Sequence, residues 1–147
     1  MDAARDLEQT LHRGIPLTRA MGIRVVCYDE HGLVLAAPLA PNVNMLDTAF
    51  AGSLYSVLAL SGWGWLHLKL AELQVAASIV LHRNSIIYHY PVTEDFEVSC
   101  ECPEQTAFRH FLDILKIKGR SRLTLYSRVM AQGRIAVTFE GSYVVYS

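Results

Sequence analysis

"PNVNMLDTAFAGSLYSVLALSGWGW", Pro41 to Trp65, decides how this chain folds. It opens on polar residues and becomes a run, Thr48 to Leu68, without a single Asp, Glu, Lys or Arg, in which Gly, Ser and Ala recur. Such a run can be a membrane anchor, a core helix, or a helix whose first turn binds something. About 20 apolar residues suffice to span a bilayer. Here, however, the small residues dilute the hydropathy and no basic flank precedes the run. The rest of the chain also reads as amphipathic strands that need an apolar element to cover. A helix apolar on all sides belongs in the middle of a core. We therefore expect no membrane segment, and a loop plus central helix over residues 42–72.

Bulk properties agree with a globular domain. The 147 residues suit one domain, 1–147, with a sizeable core. A net charge of −1 gives no electrostatic case for nucleic acid or an anionic membrane. Met1 to Arg13 is charged throughout and lacks the apolar stretch of a signal peptide. Cys100 and Cys102 alternate with Ser99 and Glu101, which predicts one face of one strand and poor geometry for bridging each other. Neither C-x-x-C nor a Cys/His cluster with zinc spacing occurs. Reduced thiols, no metal and a cytoplasmic location are the expectation.

Working outward from the central run, Leu7 and Leu11 suit an N-terminal helix within 1–15 that ends near Gly14 and Pro16. Ile23, Val25 and Cys27 alternate as a strand. "DEHG", Asp29 to Gly32, reads as a hairpin turn into Leu33, Leu35 and Ala37. Beyond the helix, "ASIVLHRNSIIYHYPV" is β-branched and aromatic, a long strand expected to bend near Asn84. Phe96, Val98, Cys100 and Cys102 alternate as the next strand. Phe108, Phe111, Leu112 and Leu115 have helical spacing, with Thr106 as N-cap and Gly119 as C-cap. Strands at 122–130 and 134–146 flank a turn at Gln132 and Gly133, with Ile135, Val137, Phe139, Tyr143 and Val145 on one face. One antiparallel sheet wrapped around one helix, an α+β architecture, satisfies every element.

The chemistry-bearing residues cluster at the helix start, whose first turn the sequence places at Thr48 to Gly52. Taken alone, Asn42, Asn44 and Asp47 read as caps for the unpartnered backbone N–H groups there. "AFAGS", Ala49 to Ser53, adds small residues that let a foreign polar atom reach the backbone. The N–H groups of Gly52 and Ser53 would then receive a carbonyl oxygen and stabilise its oxyanion. Close helix-to-strand packing is the other reading of Gly52. Ser53 and Ser56 lie three apart and can share a face. A serine nucleophile would draw on a histidine, for which His82 and His89 are the strand candidates. Glu94 and Asp95 read as turn residues.

These features together resemble a known family. "N-V-N-x-x-x-T-A-F-A-G-S-L-Y-S" running into "G-W-G-W-L", with "I-I-Y-x-x-P-V" and "G-R-S-R-L" later, resembles the thioesterase domain of the YiiD C-terminal type, within the hot-dog fold. The resemblance extends over nearly the whole chain from about Pro16. It implies a curved antiparallel sheet around a long central helix, and an acyl-thioester ligand on coenzyme A or an acyl carrier protein. Coenzyme A or phosphopantetheine is then part of the substrate rather than a separate cofactor. The helix start becomes the oxyanion hole, with Asp47, Asn44 or Asn42 in the loop positioning water. Lys118, Arg120 and Arg122 would meet phosphates, and Ser85 and Tyr88 would line the pantetheine channel. A homodimer with sheets joined edge to edge is also implied, its further pairing to a tetramer left open. The chain departs from many hot-dog thioesterases in having no carboxylate from Ala49 to Leu68, so a non-catalytic acyl-thioester binding module is the alternative. The loop His and helix acid of the dehydratases are missing too.

Overall fold

The computed structural model describes residues 2–147. Helix α1 (Ala3–Gly14) starts on Asp2, whose carboxylate accepts the Ala4 N–H, and it buries Leu7 and Leu11. A short helix α2 (Pro16–Ala20) follows, opened by its proline. The hairpin β1 (Arg24–Asp29) and β2 (Gly32–Ala37) leads through a 3₁₀ turn (Ala40–Asn42) and a loop into α3 (Ala51–Glu72). Then come β3 (Ser78–Tyr88), β4 (Phe96–Glu101), α4 (Gln105–Lys118), β5 (Arg120–Ala131) and β6 (Arg134–Tyr146). The strands form one curved, six-stranded antiparallel sheet in the order β1-β2-β4-β5-β6-β3.

Helix α3, 22 residues long, is the core's axis, packed against five of the six strands and α1. Its glycines are close-approach sites. A Cβ on Gly62 would sit 2.3 Å from the Tyr143 hydroxyl oxygen, so the tyrosine ring lies directly on the helix backbone. That hydroxyl donates to the Ala59 carbonyl at 2.8 Å. Gly64 likewise admits Leu33 and Leu7. Ser61, fully buried, is hydrogen-bonded at 2.7 Å to both the Leu58 carbonyl and the Ser127 hydroxyl, which leaves no polar atom of its side chain stranded. Among the described residues, no helix is long and apolar enough to cross a membrane.

The two sheet edges are treated differently. Along β1, the Glu8 carboxylate accepts the Val25 N–H and the His12 ring bonds the Ile23 carbonyl, both at 2.8 Å, so α1 seals that edge. Strand β3 pairs only with β6 among the described residues, and its other edge is bare.

Several boundaries differ from the sequence reading, each for a local reason. Helix α3 begins at Ala51 rather than Thr48, because Thr48 and Ala49 are held in the preceding loop, where Ala49 bridges Val43. The bend expected near Asn84 is a bulge between Leu81 and Arg83. Another bulge, between Val129 and Met130, puts Ala136 inside and turns Ile135 off the face shared by Val137, Phe139, Tyr143 and Val145. Cys102 lies past the end of β4 and is exposed, whereas Cys100 is buried, so the two do not share a face. Burial pushes the Cys100 thiol up to about 12, which keeps it protonated. Glu104, not Thr106, is the N-cap of α4, and it makes no side-chain cap bond. Gly119 does close α4, at φ 71°, with its N–H on the Leu115 carbonyl.

Gly62→Ala tests the clamp on the central helix. The new methyl must displace the Tyr143 ring, and overpacking of this kind costs about 1–3 kcal/mol. Urea unfolding should show a lower midpoint with an unchanged slope, and an unaltered midpoint would contradict the close approach.

Candidate functional site

The loop before α3 is organised by Asn44. Its side-chain oxygen accepts the N–H groups of Leu46 and Thr48 at 2.8 and 3.2 Å, and its amide donates to the Thr48 hydroxyl at 2.8 Å. The Asn44 and Thr48 backbones add a further bond, and the Ala49 N–H reaches the Val92 carbonyl at 2.8 Å. Thus the loop is tied to itself and to the chain leaving β3. Its tip presents Met45 at 99% exposure and Leu46 at 81%. Asp47 is also exposed and sits at φ 61°, the left-handed region that Asp tolerates better than most residues.

Asn42 plays a buried part. Its amide donates to the carbonyls of Met21 and Pro38 at 2.9 and 2.8 Å, and its backbone carbonyl accepts the Phe50 N–H at 2.7 Å. Its side-chain oxygen has no partner among the described residues. Neither asparagine caps α3.

The cap position belongs to Phe50, which offers no side-chain hydrogen bond. Its carbonyl accepts from both Ser53 and Leu54, at 3.0 and 3.1 Å. The amides left without a partner among the described residues are therefore those of Ala51 and Gly52, one residue earlier than the Gly52 and Ser53 pair. The macrodipole of a 22-residue helix adds partial positive charge at these N–H groups. Such a pair can donate to a carbonyl oxygen or an anion.

Aromatic groups frame the amides. The Phe50 ring lies over Gly52, where a Cβ would meet its Cε2 at 2.5 Å. On the β3 side, the Tyr88 hydroxyl donates to the Ala51 carbonyl at 3.1 Å. Burial, then the neighbouring Tyr55, raises the Tyr88 pKa, so it remains a protonated donor. Asn84 donates to the Tyr55 hydroxyl at 2.9 Å, and the Tyr55 ring stands edge-on to Phe139. The sequence reading gave no site role to Phe50 or Asn84; the one available signal was an aromatic residue set directly before "AGS".

The other predicted positions do not converge on the amides. Ser56 donates its hydroxyl to the Gly52 carbonyl at 2.8 Å, and Ser53 makes no side-chain hydrogen bond among the described residues. His89 bonds Thr138, and His82 is exposed on β3, so neither histidine is paired with a serine of α3. Ser85 and Tyr88 point to opposite faces of β3, Ser85 lining an outer hollow with Arg83, Thr124, Glu140 and Ser142. Arg120 and Arg122 alternate with buried Ser121 and Leu123 and so face outward, Arg120 lying 5.4 Å from the Tyr146 ring centre. Lys118 ends α4, exposed. Glu94 and Asp95 serve turns, holding the N–H groups of Gln132 and Leu39.

Known proteins resemble this chain in sequence and fold. The sequence profile of the family described as "Putative thioesterase (yiiD_Cterm)" matches residues 4–147. A Shewanella oneidensis protein described as a "putative thioesterase" is 32% identical, with 99% of this chain and 98% of that one covered at a TM-score of 0.89. A Chlorobaculum tepidum protein of unknown function is 29% identical over 98% and 94% of the two chains, with a TM-score of 0.93. A Haemophilus influenzae thioesterase, only 10% identical, covers 98% and 90% at a TM-score of 0.77 and speaks for the hot-dog fold alone.

The loop's dependence on Asn44 is testable. Asn44→Ala removes hydrogen bonds worth about 1 kcal/mol apiece and should destabilise the domain by about 1–3 kcal/mol. Amide exchange at Leu46 and Thr48 should accelerate more than elsewhere, and uniform protection would show that the loop is held by other means.

Proposed function

Because the chain belongs to the YiiD C-terminal thioesterase family, we propose that it hydrolyses an acyl thioester carried on coenzyme A or on the phosphopantetheine of an acyl carrier protein. The observation that carries this reading is the bare pair of amides at Ala51 and Gly52. The thioester carbonyl oxygen accepts both N–H groups, which polarises the carbon and favours the oxyanion that forms when water attacks. Asp47, the loop's only carboxylate, orients that water. Asn44 acts at one remove by fixing the loop, since its own polar atoms are occupied. The water oxygen forms its bond to carbon, the carbon–sulfur bond breaks, and the water's proton ends on the departing thiolate. The acyl chain lies along apolar residues of α3 and the sheet, and Arg120, Arg122 and Lys118 meet phosphates of the carrier. We assign the protein to the cytoplasm.

Second copies of the chain complete the reading. A bare β3 edge beside half-exposed Val80 and Ile87 is a liability that edge pairing across a two-fold axis removes. Light scattering should give twice the monomer mass of 16.4 kDa, and a strictly monomeric protein would exclude edge pairing.

A non-catalytic acyl-thioester binding module is the second reading, favoured by the absence of any carboxylate in α3 before Glu72. Release of free thiol from a panel of acyl thioesters separates the two, with calorimetry alongside: binding without turnover supports the module. If turnover occurs, Asp47→Asn should lower kcat by about 10²–10⁴-fold with little change in KM, since an oriented base contributes on that scale. Undiminished kcat would remove Asp47 from the mechanism.

A further inference from the structure

We infer that the Phe50 ring determines specificity at the acyl α-carbon, an inference that rests on the thioester reading of the α3 amides. Phe50 occupies a helix N-cap, where Ser, Thr, Asp or Asn would satisfy an amide and strengthen the helix. A large aromatic group there, 54% exposed, contributes neither a cap bond nor a share of the buried core.

Its backbone is nonetheless fixed at both ends. The N–H donates to the Asn42 carbonyl at 2.7 Å, and the carbonyl accepts from Ser53 and Leu54. Only the ring has freedom to move, and it lies against the Cα of Gly52. With any other residue at 52, the Cβ would stand 2.5 Å from Cε2 and 2.8 Å from Cζ, so the ring would have to leave. Glycine at 52 therefore has a specific consequence: it seats an aromatic surface beside the two unpaired amides. On the other side, the Tyr88 hydroxyl is engaged by the Ala51 carbonyl and does not yield freely.

A carbonyl oxygen held at hydrogen-bond distance by Ala51 and Gly52 keeps its carbon, and that carbon's two substituents, within a bond length or two of the amides. The acyl α-carbon then packs on the Phe50 ring. A straight chain lies flat on it. A methyl branch at the α-carbon is driven into it.

The experiment compares linear and 2-methyl-branched acyl thioesters of equal chain length as the ratio of their kcat/KM values, so that any general loss of activity divides out. Wild type should favour the linear substrate. Phe50→Ala should raise the branched-to-linear ratio about tenfold or more, the usual worth of one methyl group in an apolar site. Phe50→Leu should fall between, and Gly52→Ala, by ejecting the ring, should move the ratio in the same direction as Phe50→Ala. An unchanged ratio in Phe50→Ala, or loss of both activities in a protein that still unfolds at the wild-type temperature, overturns the assignment. Calorimetry with non-hydrolysable ketone analogues, a methylene replacing the ester sulfur, gives the same ratio without turnover. A shift of relative affinity in Phe50→Ala with no hydrolysis by wild type would keep the specificity role and sink the hydrolase reading. Turnover with an unmoved ratio would do the reverse, and an absence of both binding and turnover would remove both.

Discussion

A 22-residue helix with no polar side can exist in water only if something surrounds it, and that requirement shapes this molecule. The six strands curve around α3, and α1 helps to cover the flank that the sheet leaves open. Contact between so smooth a helix and the sheet would allow sliding or rotation. Small residues prevent it. Gly62 receives the Tyr143 ring, Gly64 receives Leu33 and Leu7, and Ser61 reaches the Ser127 hydroxyl. Each is a specific interlock at a specific height along the axis. Fixing the helix in rotation and translation also fixes where its first amides emerge. The core thereby sets the position of the candidate site.

The loop ahead of α3 divides its polar groups in an instructive way. Two asparagines and one aspartate stand within easy reach of a helix start, the residue types that best cap one. None does so. Asn42 holds the carbonyls of Met21 and Pro38, Asn44 closes its own loop, and Asp47 faces solvent. Forgoing a side-chain cap costs a helix about 1 kcal/mol. A chain that has the right side chains at hand and uses them elsewhere has left those amides without a side-chain cap, the condition an oxyanion needs.

Much of this was legible in the sequence, and the exceptions share a cause. The uncharged run from Thr48 to Leu68, the alternating Phe96–Val98–Cys100 strand and the hairpin at Asp29–Gly32 are strong periodic or turn signals, and they became α3, β4 and the β1–β2 connection. What periodicity cannot carry is an interruption. The bulge at Ala136 reverses Ile135 relative to Val137, and nothing in "RIAVTF" announces it. The start of α3 was misplaced because Thr48 is a good N-cap by type, whereas its hydroxyl and backbone are both committed to Asn44. The site was legible in outline, since the small residues marked the helix end. Its walls were legible only in part, Tyr88 through the family resemblance. Tyr88 arrives from a strand 37 positions away, and the meaning of Gly52 depends on where the Phe50 ring rests.

Finally, the bare edge and the helix end are mechanically linked. Strand β3 turns its inner face toward the start of α3, with Tyr88 bonded to Ala51 and Asn84 bonded to Tyr55, while its outer edge has no partner. An unpaired edge strand is the least restrained element of a sheet, because half of its backbone groups lack protein partners. Whatever pairs with β3 therefore stiffens the strand that carries one wall of the site. Edge α1–β1 is already sealed by Glu8 and His12. Of the two edges, the one left open belongs to the strand that carries Tyr88 and Asn84 to the start of α3.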